Sequence, residues 1–471
     1  MLNLSSLNQR VNALSSRING IPVPVVDNLT AVLTSGDDAG GLNITNLNNL
    51  DTTNINGVAY PIPVVVPTLD QVLASGNDGS GLDITNVTNI TCNNLDTTNI
   101  IGVGTFTINA DTIKVDSSIV AVGGGAGITA QGVNAVAVGL NAGNLNQGAS
   151  AVAIGDSAGT NNQGNYSCAI GVSAGNASQG TNSVAVGNLA GNATQGGSSV
   201  AVGVNAGKTT QGASSVAIGN GSGQTTQATQ GVAVGLNAGY DTQGAGSVAV
   251  GANSGKTTQG TNAVAVGNVA GQTTQATQAV AIGYLAGNDT QGAGSVAIGV
   301  NAGRTTQGAV CVAIGNQAGN NIQGYSSVAI GNGAGNATQG DNSVAVGRSA
   351  GNATQGANSV AIGYVAGNIT QGIQAVAVGV NAGKTNQGDS CVAIGNSAGN
   401  SGQGANAVAI GSYAGATNQT AGSICLNASG STLNPNQAGC FIKPLRGVAL
   451  GIGVGRVYYN SATYELQYST T

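Results

Sequence analysis

Apolar residues keep two different rhythms along this chain. In residues 1–20, Leu4, Leu7, Val11, Leu14 and Ile18 stand at alternating steps of three and four, the a/d seam of a short coiled-coil helix. Gly20, Pro22 and Pro24 stop it. A seam of under three heptads is marginal alone, so it is expected to assemble on a larger oligomeric body, the other reading being a short surface helix.

In residues 21–118 the pattern shortens to brief alternations between Asn and Thr, such as Leu42 and Ile44, broken by Gly turns. The segment is duplicated: VLTSGDDAGGLNITN from Val32 returns as VLASGNDGSGLDITN from Val72. This predicts a β-rich base or stalk. Asp37, Asp38 and Asp78 on its turns read as solvated turn residues, with calcium ligation the alternative.

Residues 119–424 settle into a period of sixteen, S-V-A-V/I-G-x-x-A-G-x-x-T-Q-G-x-x. Its glutamine never slips: Gln131, Gln147, Gln163, Gln179, Gln195, Gln211, Gln227, Gln243, Gln259, Gln275, Gln291, Gln307, Gln323, Gln339, Gln355, Gln371, Gln387, Gln403 and Gln419. A spacing this strict requires each unit to sit on the last in one pose, which predicts an all-β parallel solenoid. Alternation sends Val184 and Val186 to one face of their strand and Ala185 to the other. Two glycine columns, Gly123 through Gly411 and Gly127 through Gly415, predict two tight corners per coil. The glutamines are expected to form a structural ladder whose amides bond along the axis.

Thr194, Thr210, Thr226, Thr242 and Thr258 precede the glutamine; a partial column, Thr209, Thr225 and Thr257, is interrupted by Asp241 and is expected to point the other way. Lys208, Lys256 and Arg304 recur at forty-eight residues, the mark of a duplicated three-coil block, and read as solubilising charges. Residues 425–471 form a C-terminal cap.

Composition narrows the function. The 471 residues include 80 Gly, 2 Phe, 1 Met and no Trp, too few bulky side chains for a compact globular core. A net charge of −5 offers no basic stripe to nucleic acid, and no apolar run is long enough for membrane insertion as a helix. With no His, histidine-based catalysis and metal ligation are absent, and no enzyme activity, cofactor or metal site is expected. Gly451, Gly453 and Gly455 mimic a dinucleotide loop without its strand-turn-helix context.

Cys311 and Cys391 share a column five coils apart, too far to bridge. Cys168 takes a Val position and reads as a small buried hydrophobe, leaving Cys425 and Cys440 as the one pair able to form a disulfide. Tyr240, Tyr284, Tyr325, Tyr364 and Tyr413 are expected on the flanks, and the sequons at Asn192 and Asn336 read as by-products of the repeat.

The SVAIG and SVAVG strands, Ser215 to Gly219 and Ser247 to Gly251, closely resemble the head repeats of trimeric autotransporter adhesins of the YadA type, over about two thirds of the chain. That resemblance implies a left-handed parallel β-roll, three of which associate around one axis. The sixteen-residue unit is longer than is usual there, and neither the secretion signal nor the C-terminal membrane barrel of the bacterial members is expected. Ser423 to Cys440, with the phrase Tyr464-Glu465-Leu466-Gln467-Tyr468-Ser469, is similar to the region after such repeats in fibre proteins of giant DNA viruses and tailed phages, where an endosialidase-type intramolecular chaperone follows. The expectation is a homotrimeric fibre or spike on a virion surface, meeting a capsid or other structural protein at one end and a host glycan or protein at the other. A self-assembling filament is the alternative, and an ice-binding solenoid comes last.

Overall fold

The computed structural model describes residues 119–445 and the backbone of two further strands, Arg456–Asn460 and Glu465–Ser469, which pair antiparallel. The heptad seam of Leu4, Leu7, Val11, Leu14 and Ile18 and the duplicated base lie outside the described residues.

Each sixteen-residue unit makes one coil of a parallel β-solenoid. The V-A-V/I triplets form the first wall: Val184–Val186 pairs in parallel with Val200–Val202, Ala185 opposite Ala201, and every neighbour in the array repeats that register. The wall holds 21 strands, from Ile119–Val122 to Gly439–Lys443. Twenty steps at about 4.8 Å make it about 95 Å long. A second wall of 14 short strands runs from Thr194–Gln195 to Ser401–Gln403. Bridges between Gln163, Gln179 and Gln195 carry its line back to the strand Asn161–Gln163.

The alternation is present, and its direction inverts the usual arrangement. Ala185, Ala201 and Ala217 are wholly buried, while Val184, Val186 and their column mates lie on the outside. The buried apolar side chains are almost all alanine, and the largest fully buried side chains are the glutamines themselves.

Both predicted glycine corners adopt positive φ, 128° at Gly187 and 54° at Gly191. A Cβ on Gly187 would lie 2.6 Å from the carbonyl oxygen of Gly203 in the next coil, and one on Gly191 would lie 2.7 Å from Oε1 of Gln195. The residue two after the first glycine is also left-handed, mostly Asn or Ser, whose short polar side chains tolerate it. A third glycine column, following the glutamine, has ordinary φ; there a Cβ on Gly196 would meet the backbone nitrogen of Ala213 at 2.4 Å.

At the C-terminal end the repeat changes. The inward column that reads Ala for eighteen coils continues as Ala409, Cys425 and then Phe441 on adjacent strands. Leu433, in the loop between the last two strands, packs against the alanine core. The carbonyl of Leu433 accepts from the N–H of Gly415 at 2.7 Å, and that of Pro435 from the N–H of Thr420 at 3.3 Å. The loop thus supplies acceptors that another coil would have offered.

Candidate functional site

The glutamine ladder occupies the corner between the two walls. From Gln147 to Gln419 each Nε2 donates to the carbonyl eleven residues earlier, in the first wall, at 2.7–2.9 Å; Gln131 does so at 3.2 Å. The principal bond thus ties wall to corner. The axial bond expected from sequence joins Nε2 to Oε1 of the next glutamine at eight steps, 3.0–3.1 Å, as from Gln259 to Gln275 and from Gln275 to Gln291. It competes with the carbonyl four residues later, which takes the second proton at 3.1–3.5 Å in most coils. Ten buried Oε1 atoms, including those of Gln163, Gln179 and Gln355, receive no donor. Every amide faces inward, so the ladder is a fastening and presents nothing to a ligand.

A second ladder escaped sequence reasoning. Nδ2 of Asn144, Asn176, Asn192, Asn288, Asn336, Asn352, Asn368 and Asn400 donates to the carbonyl nineteen residues earlier, at 2.8–3.2 Å. The signal was their shared sixteen-residue column. Asn192 and Asn336, read as sequons, thus have their amide nitrogens engaged between coils.

The outer face of the first wall is apolar along its length. Both outward positions of all 21 strands carry Val, Ile, Leu or Cys, with no charge among them. Ile154, Ile218, Ile298 and Ile410 are each 36–41 % exposed. Leu140, Val172, Val204, Leu236, Tyr284, Val300, Tyr364 and Val380, just past the corner glycine, widen the strip. A monomeric protein rarely exposes a contiguous apolar patch beyond a few hundred Å². This one runs the length of the solenoid.

Cys168 belongs to this face and is half-buried, a correction to its reading as a buried residue, because its column points outward. Cys425 and Cys440 are both free. They lie on paired strands one register apart, Cys425 beside Phe441 and Cys440 beside Ile424, the first buried and the second exposed, so alternation sends them to opposite faces. Cys311 and Cys391 stand in for buried serines. Each Sγ donates to a glycine carbonyl at 2.8 Å, as Ser327 and Ser343 do at 2.7 and 2.8 Å. Burial pushes both thiols above their ordinary pKa, which disfavours the nucleophilic thiolate.

On the second wall Thr209 and Thr210 are both exposed, as are Thr225 with Thr226 and Thr257 with Thr258. The expectation that the partial column points inward is overturned because these strands are two residues long and sit on a corner, where alternation lapses. Asp241 and Asp289 still interrupt that column. Of the five tyrosines, Tyr284, Tyr325, Tyr364 and Tyr413 are exposed and Tyr240 is half-buried; Arg348 lies over the ring of Tyr364 at 5.6 Å. Among the described residues no three His, Cys, Asp or Glu side chains gather as a metal site would require, and no helix is long and apolar enough to cross a membrane. No family model, curated protein or solved structure matches the chain.

Proposed function

We propose that this chain forms the shaft of a homotrimeric fibre or spike on a virion surface, a rigid spacer holding a host-attachment end away from its base. The observation that carries the trimer is the uncharged Val/Ile face along all 21 strands. Fully burying one such side chain stabilises by about 1.5–3 kcal/mol, and a lone solenoid leaves two per coil only partly covered. Its own interior, built of methyls and amides, recovers little of that. Association of copies through this face supplies the hydrophobic stabilisation that the alanine core lacks, and the N-terminal seam would set the chains in register. The virion placement rests on the resemblance of the repeats and of the C-terminal segment to fibre proteins.

Light scattering on the purified protein tests the proposal. The expected mass is 3 × 45.1 = 135.3 kDa. A monomeric mass sinks it. The filament alternative requires solenoid ends to join, and the loop carrying Leu433 and Pro435 closes one of them.

A further inference from the structure

The apolar wall has two edges, and their side chains answer each other coil by coil. The first edge is the turn before each V-A-V/I strand; the second begins with the residue just past the corner glycine. In the coil of Gln339 the first edge carries Asp341 and the second Arg348, both exposed. Among the described residues neither forms an ion pair within its own chain: Asp341 Oδ1 accepts from the N–H of Tyr325 at 2.8 Å, and Arg348 lies over the Tyr364 ring. The strand Val344–Val346 stands between them.

Other coils repeat the match with apolar side chains. Val133 stands across the wall from Leu140, Tyr166 from Val172 and Ile373 from Val380, every one exposed. The two remaining charges on these edges avoid their like: Asp389 shares its coil with Asn396, an amide donor, and Asp156 with Ser150. Each pair lies within half a coil, so less than half of one step of about 4.8 Å separates its members along the axis.

Edges that never meet in one chain meet in a symmetric assembly. When copies turn the apolar wall toward a common axis parallel to the solenoid, rotation keeps every coil at its height, and the first edge of one copy faces the second edge of the next. An antiparallel pairing instead sets each edge against its own kind. The Val/Ile columns cannot choose the height, because they read nearly the same in every coil. The edges can: a slip of one coil sets Arg348 against Ala357 or Tyr325, and Asp341 against Asn332 or Tyr364.

Resting on the trimeric reading above, we propose that the copies associate parallel and level, with Arg348 of each chain paired to Asp341 of the next. The partner that this surface fits is a second copy of the chain in the same orientation and at the same height.

Disulfide trapping on the full chain tests the pairing, in a background with Cys92, Cys168 and Cys440 changed to Ser. Asp341→Cys with Arg348→Cys is expected to yield, on oxidation, three linked chains on a denaturing gel, while either substitution alone yields single chains. Light scattering on the same variant under reducing conditions separates the two proposals. A monomeric mass there removes the trimer and this pairing with it. A trimeric mass whose paired cysteines stay unlinked overturns the pairing alone, as does linkage through either cysteine by itself. A dimeric mass with linked pairs keeps the parallel pairing and overturns the trimer. Charge variants give a second readout should the cysteines prevent assembly. Arg348→Asp, in a column where Asp156 already stands, sets like charges together and is expected to raise the concentration at which the oligomer dissociates about tenfold. Adding Asp341→Asn, whose amide oxygen keeps the bond to Tyr325 as Asn165 keeps that to Ala149 at 2.9 Å, should recover most of the loss. Unchanged dissociation overturns the proposal.

Discussion

An amide buried without partners costs about 1–3 kcal/mol, and this solenoid buries eighteen glutamines to 2 % exposure or less. They are tolerated because each Nε2 carries a first-wall carbonyl with it. Gln275 shows the full set: it donates to Val264, Ala279 and Gln291 and accepts from Gln259. Gln275→Leu keeps the bulk but strips these partners, so local stability should fall by about 2–3 kcal/mol, seen as faster hydrogen exchange across residues 264–291. Val269 and Val310 present the opposite case, β-branched residues held at φ 62° and 59°. Their neighbours in the same columns are mostly Asn and Ser, so Val269→Asn and Val310→Asn should each stabilise by about 1 kcal/mol, read as a raised thermal midpoint. The buried thiols add a pH dependence. Cys311 and Cys391 titrate higher folded than unfolded, so above the unfolded value of about 8.5 the unfolded chain releases protons that the folded one retains. That share of stability is complete below about pH 8.5 and is lost as pH rises toward the folded value. A Cys311→Ser, Cys391→Ser variant should therefore lose less between pH 7 and pH 10 in urea melts than the unaltered chain does.

At the scale of the element, glycines at positive φ meet two separable needs. Gly203 combines φ 129° with a neighbour 2.7 Å from any added Cβ, the carbonyl of Gly219, whereas Gly294 has φ 64° and nothing within 4 Å. Gly203→Ala should abolish soluble expression or unfold its coil, while Gly294→Ala should cost only the left-handed strain, about 1–2 kcal/mol in a thermal melt. This distinction marks what could be read from residues alone. The coil, its sixteen-residue register, the V-A-V alternation and both positive-φ corners were legible because each leaves a periodic trace. The face that turns inward was not. That depends on how the two walls pack in the folded coil, a contact that leaves no periodic trace; the third-column glycines such as Gly196 answer a different need, close approach to the next coil. The packing buries Ala185 and the glutamine amides and leaves Val184 and Cys168 outside. The Thr209–Thr210 pair failed for a different reason: a two-residue strand on a corner has no alternation to obey. The asparagine ladder lay in plain view as a column, but its partners stand nineteen residues back, a spacing that only the folded coil defines.

Along the described solenoid, strand contacts run between successive coils, so stability should be a sum over neighbours and length a matter of counting. The forty-eight-residue period of Lys208, Lys256 and Arg304 fits growth by whole coils, since three coils can be inserted without disturbing any column. The same logic predicts what removal does. Deleting residues 208–255 joins Gly207 to Lys256 in register, keeps the glutamine ladder continuous and shortens the shaft by three steps, about 14 Å. Thermal midpoint and oligomer number should hold, because the outer Val/Ile face and both ends are unchanged. Deleting residues 208–247 instead removes two and a half coils and joins Gly207 to Val248, half a turn out of phase. Val248 and Val250 would then take the places of Lys208 and Thr210, and Gly251 that of Gln211, so the amide ladder breaks at the join. That chain should aggregate or fail to fold. Electron micrographs and melting curves of the two deletions give the comparison, and equal tolerance of both would show that the coils are not locked by the columns described above.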